Sequence, residues 1–233
     1  MADWHERKIE EDTKPLQCAV ILAGGLGTRL YPVTLEIPKP LIPVQGRTLT
    51  EHILDLLKEA GVRRVYLSIG YRAKQVMDYF GDGSRFGVDM RYIVEDTPLG
   101  TGGWMNMIDC AHPDLEHCSN AALITIALSE VDDPSAFGVA RLEGNRIVEF
   151  VEKPPRELAP SRFISSGYYI FSPEVFSMIP SLIPPAGSFM LEKQVFPNVA
   201  KQGRLFGYPS RAQWFDTGTF ERWEKVIKEW RKQ

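Results

Sequence analysis

The alternation of apolar and polar positions begins with an unbroken apolar run, Cys18-Ala-Val-Ile-Leu22. Short, partly β-branched and apolar on both faces, this run predicts a strand buried inside a parallel sheet. The period then changes. Leu49, Ile53, Leu56, Leu57 and Ala60 recur at helical spacing, Thr48 and Glu51 have the spacing of a capping box, and Gly61 ends the run. Together they predict a helix over Thr48–Ala60. Strands are predicted over Val62–Ile69 and Val88–Val94, with a helix over Arg72–Phe80 between them. Strand, helix and strand in this order predict parallel pairing with right-handed crossovers.

The second half reads differently. A short helix is predicted over Trp104–Asp109 and a strand over Ala122–Leu128. Two strands, Gly138–Leu142 and Arg146–Val151, flank Glu143-Gly-Asn145 and predict a hairpin. A helix over Phe189–Ala200, a strand over Leu205–Tyr208 and a last helix capped by Thr219, with a stripe of Trp223, Val226, Ile227 and Trp230, complete the pattern. Only 21 residues separate Gly103 from Thr125. A parallel strand and its return helix do not both fit in that length. The central sheet is therefore expected to lack a strand or to leave one edge unpaired. His112–Asn120 reads as the remnant of a helix.

Composition sets bounds on this picture. The 233 residues are 44% hydrophobic and 24% charged, which suits one globular domain over 16–233 with halves 16–110 and 121–233. Met1–Pro15 is charged rather than signal-like and reads as a polar extension. A net charge of −3 gives the surface as a whole no electrostatic footprint for nucleic acid, so any anion site must be local. No apolar run reaches membrane-spanning length, and no membrane partner is expected. Cys18, Cys110 and Cys118 are too few and too irregular for a disulfide framework, and with His112 and His117 they match no zinc spacing. Reduced thiols of this kind fit the cytoplasm.

The candidate chemistry lies in Leu22–Val44, LAGGLGTRLYPVTLEIPKPLIPV. A strand opening into Gly24, Gly25 and Gly27 can turn backbone N–H groups onto one anion. Leu30 stands where a dinucleotide fingerprint needs its third glycine, and no lysine follows as in a Walker A loop. The plain alternative is a Gly-rich turn without a ligand. Against it stand two cations, Arg29 and Lys39, and three stiffening prolines, Pro32, Pro38 and Pro40. Farther on, Glu152 and Lys153 alternate along a strand, where an exposed ion pair is the ordinary outcome. Asp216 precedes a glycine turn, where a turn or cap aspartate is ordinary.

The motifs G-x-G-T-R, P-K-P, L-G-T-G-G, F-G-V, E-K-P and D-x-G-T taken together resemble the sugar-1-phosphate nucleotidyltransferases, over nearly all of Gln17–Trp230. The resemblance implies a Rossmann-like three-layer α/β/α fold with a mostly parallel central sheet. It implies that Leu22, Ala23, Gly24, Gly25, Gly27 and Thr28 bind the nucleotide, with Gly100 and Gly102 beside the base and sugar. Arg29 would hold the β- and γ-phosphates, Lys39 the α-phosphate and Lys153 the attacking sugar phosphate. Glu152 would take sugar hydroxyls, Gly138 would offer its backbone, and Ser165 and Gly167 would complete the sugar side. Ser165 stands where the family often has asparagine.

In this family Mg²⁺ is shared by two aspartates. Asp216 matches one of them. The other ends a strand in Gly-Asp, and no such run is present; Asp109 and Asp114 are read as solvated surface carboxylates instead.

The implied reaction joins an NTP and a sugar 1-phosphate into an NDP-sugar and pyrophosphate. With a second pKa near ~6, the acceptor phosphate is already a dianion and needs no general base, in keeping with the absence of a Ser-His-Asp or Cys-His pattern. The P-K-P form is most like the mannose- and heptose-1-phosphate guanylyltransferases, so GTP is the expected donor. Adenylyl or thymidylyl transfer from ATP or dTTP to glucose 1-phosphate, and a catalytically impaired binding homologue, are the alternatives. Homo-oligomerisation is left open.

Overall fold

A computed structural model describes residues 16, 18–107, 122–182 and 188–231. The readings made for Met1–Pro15, Asp109, Cys110, His112, Asp114, His117, Cys118 and the helical remnant lie outside these residues.

The chain opens with β1 (Cys18–Ala23), then a one-turn helix α1 (Val33–Glu36) and a two-residue ladder of β2 (Pro43–Val44) and β3 (Arg47–Thr48). Helix α2 (Leu49–Glu59) starts where the pattern predicts it. Thr48 Oγ1 accepts from the Glu51 N–H while the Glu51 carboxylate accepts from the Thr48 N–H, a complete capping box. Gly61 follows at φ 85°, the left-handed conformation that ends a helix at least cost. Next come β4 (Arg64–Ile69), α3 (Ala73–Phe80) and β5 (Asp89–Val94).

β1, β4 and β5 form a parallel sheet in that order, with Cys18 opposite Arg64 and Arg64 opposite Asp89. Side chains on both faces of this sheet enter a core, as the continuous apolar run of β1 requires. Ile21, Val65, Leu67 and Ile69 pack against Leu54 of α2 and Val76 and Phe80 of α3. The alternate side chains Val20, Tyr66 and Ile93 face a second core.

That second core belongs to β6 (Ile124–Glu130), β7 (Gly138–Glu143), β8 (Arg146–Glu152), β9 (Phe163–Phe171) and β10 (Leu205–Pro209), with helices α4 (Glu174–Leu182) and α5 (Phe196–Lys201). These strands close into a barrel in the order β10-β6-β9-β7-β8. Only β10 and β6 pair in parallel; every other pairing is antiparallel. The α/β class holds, but the expected single sheet is divided in two. Among the described residues β4 pairs with one edge of β1 and no strand pairs with the other. The two sheets meet through side chains instead.

Other departures are local. The helix expected over Trp104–Asp109 is a 3-10 turn over Gly103–Asn106 in the described part. The helix expected over Phe189–Ala200 begins as a π turn over Leu191–Val195 and becomes α-helical at Phe196, with Pro197 in the first turn, where its missing N–H costs nothing. Helix α4 has no counterpart in the periodicity reading.

The last helix, α6 (Phe220–Glu229), is capped by Thr219, whose Oγ1 accepts from the Arg222 N–H. It returns to the N-terminal loop. Trp223 Nε1 donates to Pro43 O at 2.9 Å, and Gln45 Nε2 donates to Ile227 O and Trp230 O. The His52 and Trp230 rings meet edge-on at 4.8 Å. These contacts bring the D-x-G-T turn beside the glycine loop. No helix of the described residues is long and apolar enough to cross a membrane.

Candidate active site

The loop begins where β1 ends, at the carboxyl edge of a parallel sheet, the usual place for a ligand in open α/β sheets. Gly27 has φ 65°, and its carbonyl accepts from the Leu30 N–H and from Thr34 Oγ1, both at 2.8 Å. A Cβ there would stand 2.9 Å from Thr34 Cγ2, so the position needs glycine both for conformation and for space. A Cβ on Gly25 would meet no atom within 4 Å, leaving its backbone open to a ligand. Leu30 is buried at 1% exposure and anchors the turn, while Thr28 and Arg29 are exposed.

A cleft of about 450 Å³ is lined by Leu22, Ala23, Gly25, Gly27, Thr28 and Arg29, together with Lys39, Thr217 and the apolar Leu49 and Ile53. The phosphate-loop residues thus do come together, with the neighbour of Asp216 among them. Gly24 lies beside rather than in the cleft. A Cβ on it would meet the Glu95 carboxylate at 3.4 Å.

Burial holds the Lys39 ammonium below its ordinary value of 10.5; Asp216 pulls it back up and Arg29 pushes it down. A bound polyanion favours the protonated lysine. Affinity for inorganic pyrophosphate should therefore fall as pH rises through this lowered pKa. The Lys39→Arg variant, charged throughout, should hold its affinity to higher pH. Calorimetric titration of both proteins between pH 7 and pH 10 checks this: parallel declines would count against a titrating Lys39.

Asp216 Oδ2 accepts a hydrogen bond from Arg222 Nη1. Arg29 reaches the same turn. A Cβ on Gly218 would stand 2.9 Å from Asp216 Oδ1 and 3.1 Å from Arg29 Nη2. The divalent ion implied for Asp216 does not fit these surroundings. Among the described residues no cluster of His, Cys, Asp and Glu forms a ligand set. One carboxylate, engaged by Arg222 and flanked by two further cations, offers Mg²⁺ little of the oxygen shell it demands.

The sugar-side residues gather at one end of the barrel. Gly138 lies opposite Glu152 in the β7–β8 ladder; a Cβ on it would stand 2.5 Å from Phe150 Cζ and 3.0 Å from Glu152 Oε2. Glu152 is 14% exposed, and Lys153, 64% exposed, reaches back to it at 3.4 Å. Lys153 has φ 49°, a strained conformation for a residue with a Cβ, of the kind concentrated at functional sites. The β6–β9 ladder shifts register between Ile126 and Leu128, opposite a bulge that holds Gly167 at φ 83°. Ser165 Oγ donates to Tyr169 OH at 3.1 Å and accepts from the Gly167 N–H. Burial pushes the Tyr169 phenol up to about 12, so it stays neutral.

Lys153 is not among the residues that line the cleft of Arg29 and Lys39. Within the second half, the Asp216 segment is tied to the sugar side through aromatics. Trp214 Nε1 donates to Ser166 O, Trp214 meets Phe137 at 5.4 Å, and the Arg222 guanidinium sits 5.5 Å over the Phe137 ring. Phe137 O accepts from the Lys153 N–H.

Gly100 and Gly102 lie elsewhere, packed on the segment that leads into α5. The Gly102 N–H donates to Phe189 O, and a Cβ on Gly102 would overlap the Phe189 ring at 2.1 Å. Their glycine requirement is met by this packing without a ligand.

Sequence reasoning missed two groups. Glu95 follows β5, accepts from the Leu99 N–H and from Ser68 Oγ, and stands beside Gly24; an acid just past a parallel strand was its signal. Arg222 lies on α6, and its spacing from Asp216 offers no pattern that points to pairing.

With this geometry in view, comparison with known proteins fixes the class. The nucleotidyl transferase family model matches residues 18–112 and 105–233, and the chain belongs to that family. The two matched pieces overlap at 105–112, within the short stretch between Gly103 and Thr125. Mannose-1-phosphate guanylyltransferase of Mycobacterium tuberculosis is 35% identical, over 87% of this chain and 61% of its own length. The catalytic subunit beta of mannose-1-phosphate guanylyltransferase from Drosophila melanogaster is 32% identical, over 86% and 59%. The chain thus spans about three fifths of these curated relatives. Among solved structures, a putative glucose-1-phosphate thymidylyltransferase from Bacillus anthracis superposes with a TM-score of 0.78 at 27% identity, covering 91% of this chain and 93% of that one.

Proposed function

We propose that the chain transfers a nucleotidyl group from an NTP to a sugar 1-phosphate, releasing pyrophosphate. The observation that carries this reading is the convergence of Arg29, Lys39 and the Asp216 turn on one cleft beneath the open Gly25 backbone. The acceptor phosphate is its own nucleophile, so the site has to bring two polyanions together and hold the charge on the leaving pyrophosphate. Catalysis then consists of positioning and fixed positive charge. Arg29 and the glycine loop hold the β- and γ-phosphates, Lys39 the α-phosphate and Lys153 the attacking phosphate. The nucleotide half is 16–110 and the sugar half 121–233, and no step runs through a metal. The substrate pair best supported by the curated relatives' names is GTP with mannose 1-phosphate, with heptose 1-phosphate as a variant; the thymidylyltransferase name keeps dTTP with glucose 1-phosphate in the comparison. We infer a cytoplasmic location, which the few, irregularly spaced cysteines support.

A second reading, a nucleotide- and sugar-phosphate-binding homologue without turnover, is favoured by one observation: Asp216 is engaged by Arg222. Pyrophosphate release separates the two. GTP, dTTP and ATP are each paired with mannose 1-phosphate and glucose 1-phosphate. Release is expected, fastest with GTP and mannose 1-phosphate. No release from any pair, with NTP binding intact, would establish the second reading.

A further inference from the structure

Asp216 carries more than the family pattern assigns to it. Arg222 donates to its Oδ2 and is held from a second side by the Phe137 ring. Arg29 arrives from the N-terminal loop and shares the Gly218 turn with Asp216. Lys39 lines the same cleft as Arg29 and Thr217. Among the described residues, three cations on three separate segments therefore surround one carboxylate, leaving two positive charges in excess.

This is the charge balance of an anion site. A metal ligand set concentrates negative charge to attract a cation. Here a divalent ion would be repelled by three positive groups and would have to displace Arg222. A guanidinium in that place supplies fixed positive charge, and its fork matches phosphate oxygens two at a time. The carboxylate offsets repulsion among the three cations while the cleft is empty.

We propose that Asp216 is the internal counter-ion of a three-cation site made by Arg29, Lys39 and Arg222, and that this site binds a polyphosphate without a divalent metal ion. The proposal rests on the function proposed above only for the class of anion, a nucleoside triphosphate.

The test uses inorganic triphosphate as probe, by calorimetry on the full chain, in EDTA and in excess Mg²⁺. Wild-type protein should bind in EDTA, and Mg²⁺ should tighten binding by no more than about two-fold. The informative variant is Asp216→Asn. Loss of the counter-ion strengthens the positive field, so its affinity in EDTA should rise several-fold. Loss of a metal ligand would instead abolish Mg²⁺-dependent binding. Arg222→Met should weaken binding in EDTA by about ten-fold, as expected for loss of a charged donor. Circular dichroism confirms that each variant is folded. A second measurement reads the metal directly: Mn²⁺ paramagnetic resonance on wild-type protein should show only free ion.

Binding that is ten-fold or more tighter in Mg²⁺, lost in Asp216→Asn, or a bound Mn²⁺ signal would overturn the proposal and leave the proposed transfer reaction standing. Absence of triphosphate binding under both conditions would overturn both together.

Discussion

Replacing Arg29 by alanine should leave the fold intact and lower the rate of pyrophosphate release by about 10²–10³-fold, the loss of about 3–4 kcal/mol expected when one preorganised donor to developing charge is removed. The side chain is exposed on a 3-10 turn whose anchor is the buried Leu30, so its loss takes little from the core. The cost falls on charge, because Arg29 and Lys39 are the cations of the glycine loop and its cleft. Removing Arg29 also relieves Lys39 of a neighbour that disfavours its protonation. Lys39 and the glycine loop remain in the cleft, so the loss stops short of complete inactivation. Arg29→Lys should fall between the two, since it keeps the charge and gives up the fork. Steady-state turnover with matched thermal melts checks this. Unchanged turnover in a folded Arg29→Ala protein would remove the residue from the machinery.

The largest effect on stability is expected at Phe196. Its side chain is fully buried at the start of α5, with ring centroids 5.2 Å from Phe150 of β8 and 5.1 Å from Tyr169 of β9. Phe196→Ala should cost about 3–5 kcal/mol, the lost transfer energy of the ring plus the cavity left behind. Against a total of about 5–15 kcal/mol for a typical domain, that should bring the urea midpoint down sharply. The sugar side should loosen first, because Tyr169 holds Ser165 beside Gly167. Leu158→Ala, at a residue 73% exposed, is the control and should stay within about 0.5 kcal/mol. A midpoint for Phe196→Ala no lower than that control would show that the barrel does not depend on this ring.

The elements that could be read along the chain share a physical property: their signals lie within one or two turns of sequence. The capping box of Thr48 and Glu51 and the stop at Gly61 set the limits of α2. Thr219 caps α6 in the same way. The apolar run of β1 had the length and composition of a strand covered on both faces, and Ile21 and Val20 pack into the two cores on either side. Signals that depend on partners were weaker. The segment Glu174–Leu182 carries Pro180 inside its helix, a residue that argues against a helix locally, and the packing of Val175 and Ile179 in the barrel core overrides it. The L-G-T-G-G glycines announced a close approach, expected at the nucleotide base and sugar; in the structure Gly100 and Gly102 approach Phe189 and Gly103 approaches Leu99.

The sequence by itself determined the strand–helix order, the glycine turn with its two cations, and the shortage of residues between Gly103 and Thr125. It could do so because periodicity, caps and turn residues act on their immediate neighbours. Only the tertiary structure decided that the strands divide into an open parallel sheet and a closed barrel. It alone brought Arg29 and Asp216 to one turn, and set Arg222 on the carboxylate. Those contacts depend on α6 docking against Pro43 and Gln45, across almost the whole chain. Such a meeting is fixed by packing and charge balance between distant segments, which local sequence patterns do not encode.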